Sequence, residues 1–175
     1  MEVLTEAAGK RYYFNDLVEW LESTDFFEAP ASTKYHGCYE GGLLEHTMNV
    51  YHRIMKYDIE YIKAGGNRDS LAIAALLHDV CKIGNYIKQE DGKYTYNRDI
   101  ALPVGHGERS VILIQQTGFT LTLEEITAIR WHMGGWDNAV RVGCQDQSAA
   151  YRRYKLAVML HLADMEATYL DEKEG

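Results

Sequence analysis

The seven residues Leu71-Ala72-Ile73-Ala74-Ala75-Leu76-Leu77 carry no polar side chain, and they run directly into His78 and Asp79. A helix that is apolar nearly all round has to be surrounded by other elements, so this segment is read as the central buried helix with the rest of the chain wrapped round it. Asp69 or Ser70 is the expected N-cap and Gly84 the expected end, which places the helix over Leu71 to Cys81. Its far end sets a problem. An unpaired carboxylate in a core costs several kcal/mol, so Asp79 needs a cation beside it. Adjacent side chains on a helix diverge by about 100°. His78 and Asp79 can therefore grip one object together only if it lies beyond the helix end, and a metal ion fits that requirement.

The remaining pattern is mostly helical. Asn15-Asp16 can cap a helix through Leu17, Trp20 and Leu21 to about Phe27, closed by Pro30, and a second runs from Leu43 to about Lys63, stopping at Gly65-Gly66. Between 86 and 98 the period changes: Tyr86-Ile87-Lys88-Gln89, then Asp91-Gly92, then Lys93-Tyr94-Thr95-Tyr96 read as a short β-hairpin. Helix is expected again over about 107–116 and over about 122–133, where Thr122 and Glu125 form a capping box. The last helix, 148 to about 170, carries Leu156, Met159, Leu160, Ala163 and Ala167 on its apolar side. The fold class is all-α, a helical bundle with one hairpin. A length of 175 residues, 46% hydrophobic content, two prolines and no repeat or linker argue for one domain over 1–175.

The net charge of -8, with acidic groups gathered at Asp171, Glu172 and Glu174 and no Lys/Arg stripe, excludes a general duplex nucleic-acid surface. Cys38, Cys81 and Cys144 are odd in number and lack a Cys-x-x-Cys pair, which suggests neither a disulfide framework nor a thiolate zinc site. They read as reduced thiols in a cytoplasmic protein. Met1 to Glu6 contains no long apolar run, so neither a signal peptide nor a membrane span is expected.

Other polar groups sit on apolar faces. Asp164 follows Ala157 and Leu160 by seven and four positions, placing a second carboxylate on an inward stripe. His46 lies between Leu43 and Val50, His132 follows Ala128 and Ile129, and His106 precedes a helix with Val111 and Ile114 inside. Any one such histidine is ordinarily a hydrogen-bonded core or boundary residue, and His52 and His161 are read that way. His46, His78-Asp79 and Asp164 on three apolar faces together point to a metal centre.

At this point the residues resemble a known family. Tyr39-Glu40-Gly41-Gly42-Leu43-Leu44-Glu45-His46-Thr47, then Leu76-Leu77-His78-Asp79-Val80-Cys81-Lys82-Ile83-Gly84, then Asp164 in a late helix, is similar to the HD-domain metal-dependent phosphohydrolases over about 35–167. The resemblance implies an all-α bundle whose metal is held by His46, His78, Asp79 and Asp164. The branch it is most similar to contains the 3′-to-5′ exoribonuclease-type HD domains, and there Gly105-His106 and His132-Met133-Gly134 would hold a second ion with Asp79 bridging both. The sequence departs from that branch in carrying Trp131 where a second consecutive histidine often stands. It also lacks an oligonucleotide-binding β-barrel. The first departure leaves the second ion one imidazole poorer; the second, with the acidic charge, favours a small nucleotide or a short nucleic-acid 3′ end over long RNA.

The resemblance implies one or two divalent transition metal ions. The donor types leave Fe, Mn, Zn, Co and Ni open. The expected reaction is cleavage of a nucleotide phosphomonoester or phosphodiester by metal-activated water. Asp79 would orient the attacking group, and Lys82, about one turn further on, would meet a non-bridging phosphate oxygen. Arg109, Arg130 and His36 are further candidates for contact with substrate, and Trp131 or Trp136 for stacking on a base. Two other classes remain: a di-iron oxygenase of HD type, and a metal-stabilised sensor or binding module without turnover. Oligomeric state is open.

Overall fold

The computed structural model describes residues 1–172. Ten α-helices lie among them: α1 (Glu2–Ala8), α2 (Phe14–Glu22), α3 (Gly42–Ile54), α4 (Asp58–Lys63), α5 (Arg68–Leu77), α6 (His106–Gln116), α7 (Leu123–Trp131), α8 (Asn138–Arg141), α9 (Asp146–Arg153) and α10 (Lys155–Glu166). A two-stranded antiparallel hairpin, β1 (Tyr86–Lys88) and β2 (Tyr94–Tyr96), pairs Tyr86 with Tyr96 and Lys88 with Tyr94. The all-α architecture with one hairpin is as expected.

The centre is α5. Every residue from Ser70 to Leu77 is buried, and α1, α3, α7 and α10 pack around it. Helices α3 and α10 also lie against each other, as do α7 and α10, and α6 and α7. These contacts hold the open ends of α3, α5, α7 and α10 at one region of the bundle. None of the described helices is long and apolar enough to cross a membrane.

Several boundaries differ from the sequence reading, each for a local reason. The first helix, α1, was not expected; Leu4 and Ala8 are its only buried positions, too few to make a periodic signal. Helix α2 starts from Tyr13, whose φ of 60° is left-handed, and not from Asn15-Asp16. It ends at Glu22 because the Ser23 and Thr24 hydroxyls donate to the Trp20 and Leu21 carbonyls, both at 2.8 Å. The long helix expected to reach Lys63 is interrupted by a 3₁₀ turn at Met55–Tyr57. The last expected helix is broken at Tyr154, an extended residue (φ -125°, ψ 113°) that starts α10. Short α8, capped by Asp137, was also not expected.

The most consequential difference is at α5. Asn67, not Asp69 or Ser70, is its cap, accepting from the Asp69 N–H at 3.1 Å. The helix stops at Leu77, four residues before Cys81. Ser110 of α6 causes this: its hydroxyl donates to the His78 carbonyl at 2.6 Å and accepts from the Cys81 N–H at 3.1 Å. One side chain thus takes both backbone groups that a continuing helix would use. Asp79 leaves the helical path (φ -110°, ψ 14°), Val80–Lys82 forms a 3₁₀ turn, and Gly84 turns the chain away at a φ of 68°.

Candidate metal centre

The diverted end of α5 brings six donors to one point. His46 Nε2 from α3 lies 3.4 Å from His78 Nε2, 3.5 Å from Asp79 Oδ2 and 3.2 Å from Asp164 Oδ1 of α10. His78 Nε2 is itself 3.5 Å from Asp79 Oδ2. On the other oxygen of the same carboxylate, His106 Nε2 at the start of α6 stands 2.7 Å from Oδ1, and His132 Nε2 at the end of α7 stands 3.4 Å from it. Lys82 Nζ is 2.6 Å from Asp79 Oδ2. His46, His78, Asp79, Lys82 and His132 are all buried, while Asp164 and His106 keep partial access to solvent.

The outer ring nitrogens settle which atoms face inward. The Nδ1 of His78 is 2.7 Å from the Ala75 carbonyl and that of His132 is 2.6 Å from the Ile129 carbonyl. A carbonyl only accepts, so each Nδ1 carries the proton, and in the neutral ring Nε2 presents a lone pair to the cluster. His46 Nδ1 donates to Glu172 Oε1 at 2.9 Å, and Asn49 Nδ2 donates to the same oxygen at 3.3 Å. A carboxylate or carbonyl behind a ligating imidazole is the usual device for aiming it at a metal. Two donors ~2.1 Å from one ion at roughly tetrahedral angles stand about 3.4 Å apart. The His46–His78, His46–Asp79, His46–Asp164 and His78–Asp79 spacings fit that requirement.

Charge in the chain alone follows the same geometry. Burial would push His46 down, but its bonds to Asp164 and Glu172 outweigh burial and raise it to about 9. His78 is lowered to about 4, by burial above all. Burial pushes Asp79 up, and the positive charge of Lys82, followed by His78 and His106, more than offsets it, leaving the carboxyl well below its ordinary value. Lys82 is correspondingly raised, since Asp79 outweighs the burial that would lower it. His106, buried and so pushed down, is nevertheless raised well above its ordinary value by Cys81 and Asp79.

Other candidates fall into three groups. His36 lies beside His46 with ring centroids 4.8 Å apart and planes tilted by 35°, and both its nitrogens lack a hydrogen-bond partner among the described residues. It is lowered to about 4 by burial, then by the charges of Lys82 and His46. Arg109 lines a cavity of about 180 Å³ with Cys81, Asn85, Ile100, Leu102, Pro103, Val104 and His106. Its guanidinium is held by Asn85 and by the Ile83 carbonyl at 3.1 Å. Arg130 is not brought to the cluster: Glu108 at 2.5 Å and Asp137 at 2.7 Å hold it over the buried Trp131 ring, 3.7 Å away. Two carboxylates already neutralise it, which leaves no free positive charge for a phosphate. Trp136 and Tyr39 are exposed, as is His52, and His161 donates to the His132 carbonyl at 2.7 Å.

Sequence reasoning missed two participants. Glu172 was counted only as part of an acidic end, and nothing in its spacing marks it. Cys81, set aside for want of a Cys-x-x-Cys pair, lies with Sγ 3.3 Å from His106 Nε2. Its position two residues after Asp79 was the available signal.

Fold and donor set together define a helical protein with a His/Asp centre able to hold a divalent metal. The family model for the HD domain matches residues 43–171, most of the chain, and the chain belongs to the HD-domain family. It is also similar to the dihydroneopterin 2′,3′-cyclic phosphate phosphodiesterase of Methanocaldococcus jannaschii, with 46% identity over 72 residues. That stretch is 39% of this chain and 29% of the relative's length. No solved structure matches the chain significantly.

Proposed function

We propose that the chain is a metal-dependent phosphohydrolase that cleaves a small phosphate ester, a nucleotide phosphomonoester or phosphodiester. One observation carries this reading: Asp79 divides its carboxylate, with Oδ2 toward His46 and His78 and Oδ1 toward His106 and His132. A carboxylate shared in that way suits two neighbouring cation positions. Membership of the HD-domain family supports the hydrolase class, as does likeness to a protein named for a cyclic phosphate phosphodiester.

A bound divalent ion would supply Lewis acidity toward a phosphoryl oxygen and toward attacking water. The chain's own groups do the rest. The Ala75 carbonyl holds the Nδ1 proton of His78 and so turns its Nε2 lone pair inward, while Glu172 holds the Nδ1 proton of His46, whose Nε2 would become a donor once an ion replaces its second proton. Asp79 orients the attacking water. Lys82, held charged by Asp79, offers a fixed positive charge to a non-bridging phosphate oxygen. Arg109 adds positive charge to the cavity wall. His36 supplies a neutral ring with two unpartnered nitrogens on the His46 side. Arg130 has no part, since its two carboxylates hold it.

The test combines metal content with turnover. Protein purified without chelators should contain divalent metal, His46→Ala should lose it generally, and His106→Ala should lose one equivalent. The metal-restored wild type should hydrolyse nitrophenyl phosphate mono- or diesters or 2′,3′-cyclic nucleotides, and Asp79→Asn should not. Full metal content in His106→Ala would sink the two-ion reading. A wild type inert toward the whole panel would sink the hydrolase.

A further inference from the structure

We propose that Cys81 is a thiolate donor to the second cation position, completing a three-donor set with Asp79 Oδ1 and His106 Nε2 at the wall of the Arg109 cavity. The inference rests on the metal-centre reading above and adds a ligand to it. The three donor atoms lie within 4.8 Å of one another, with Sγ 3.3 Å and Oδ1 2.7 Å from His106 Nε2. Nitrogen and sulfur donors at ~2.1 and ~2.3 Å from one tetrahedral ion stand about 3.6 Å apart, close to the 3.3 Å between Cys81 Sγ and His106 Nε2.

The protein holds this thiol in place. Ser110 accepts from the Cys81 N–H and so fixes the 3₁₀ turn that points the side chain toward α6. The contact is also poor as a hydrogen bond. With the Nε2–H of His106 donating to Asp79, the ring has no lone pair there to accept the thiol proton, and sulfur is a weak acceptor in return. Three donors facing one another across a shared point are better satisfied by a cation than by each other. The thiol is otherwise buried, yet Cys81 and His106 both line the cavity of about 180 Å³, which gives an ion a way in.

The donor also answers a deficit. Trp131 is buried under Arg130, one position before His132, so α7 brings a single imidazole to this side of Asp79. A thiolate two residues after Asp79 supplies the missing ligand from the 3₁₀ turn that follows α5. Its softness should bias the position toward zinc, iron or cobalt and against manganese or magnesium.

Cobalt(II) titration of the full chain in a Cys38→Ser/Cys144→Ser background tests this, because only Cys81 then remains as a thiol. A near-ultraviolet sulfur-to-cobalt charge-transfer band should grow with the second equivalent. Adding Cys81→Ser should abolish the band and weaken the second equivalent about tenfold or more, with circular dichroism unchanged. Two equivalents bound without the band would overturn the role of Cys81 and leave the metal centre standing. Should Cys81→Ser fail to fold, the band's presence or absence in the background protein decides alone. No cobalt bound at all would overturn both readings.

Discussion

Replacing Arg11 with alanine isolates a buried ion pair outside the metal centre. Arg11 reaches from the α1–α2 connection to Glu125 of α7, its two terminal nitrogens each 2.7 Å from a carboxylate oxygen. The Glu125 side chain is fully buried, and Oε2 also accepts the Thr122 N–H at 2.8 Å in the capping box. Removing one partner of a buried pair costs about 3–5 kcal/mol. The surviving Thr122 bond and the 22% exposure of Arg11, which lets water follow the deletion, bring this to about 2–3 kcal/mol. For a chain of this size that is a fall in Tm of about 5–10 °C. The pH dependence has a definite sign. Burial pushes Glu125 up, but its bonds to Arg11, Ser70 and Thr122 more than offset it, so its folded pKa lies below the unfolded value. The stabilisation is therefore complete above the unfolded pKa of about 4.3 and is lost as pH falls through the folded pKa. In Arg11→Ala burial dominates, and acid relieves the stranded charge. Thermal unfolding followed by circular dichroism, in chelator to fix metal occupancy, should show the gap between wild type and variant narrowing from pH 7 to pH 4. Glu125→Gln added to the variant should restore part of the loss. A fall of less than about 2 °C at pH 7, or a gap independent of pH, would refute the reasoning.

Two further outcomes are expected. Glu172→Ala should weaken metal binding at the His46 side by about tenfold to a hundredfold in a competition titration, while Glu172→Gln, which still accepts from His46 Nδ1, should lose less. Ser110→Ala should destabilise by about 1–3 kcal/mol in urea unfolding, because the His78 carbonyl and Cys81 N–H lose their shared partner; an unchanged midpoint would show that the turn holds itself.

What could be read from the sequence was what periodicity and composition encode. The run from Leu71 to Leu77 could only be a surrounded helix, and it is one. The Thr122/Glu125 capping box and the Asp91-Gly92 turn are local devices, and both are where their residues placed them. The missed features are made by distant partners. No spacing announces that Ser110 will end α5 thirty-three residues upstream in the chain, or that Glu172 will reach His46. Tyr154 breaks a helix without glycine or proline, so nothing there was legible as punctuation. Arg130 looked free because its partners, Glu108 and Asp137, lie on other elements.

The Lys82–Asp79 pair bears on how such a protein acquires its cofactor. A zinc finger is unfolded without its ion, because its ligands have no other partner. Here the ammonium of Lys82 sits 2.6 Å from Asp79, and a proton on His46 answers Asp164 and Glu172. The bundle thus carries internal counter-ions that let it assemble before loading. A divalent ion would then need only to exchange against the His46 proton, and its supply could change without the scaffold being rebuilt.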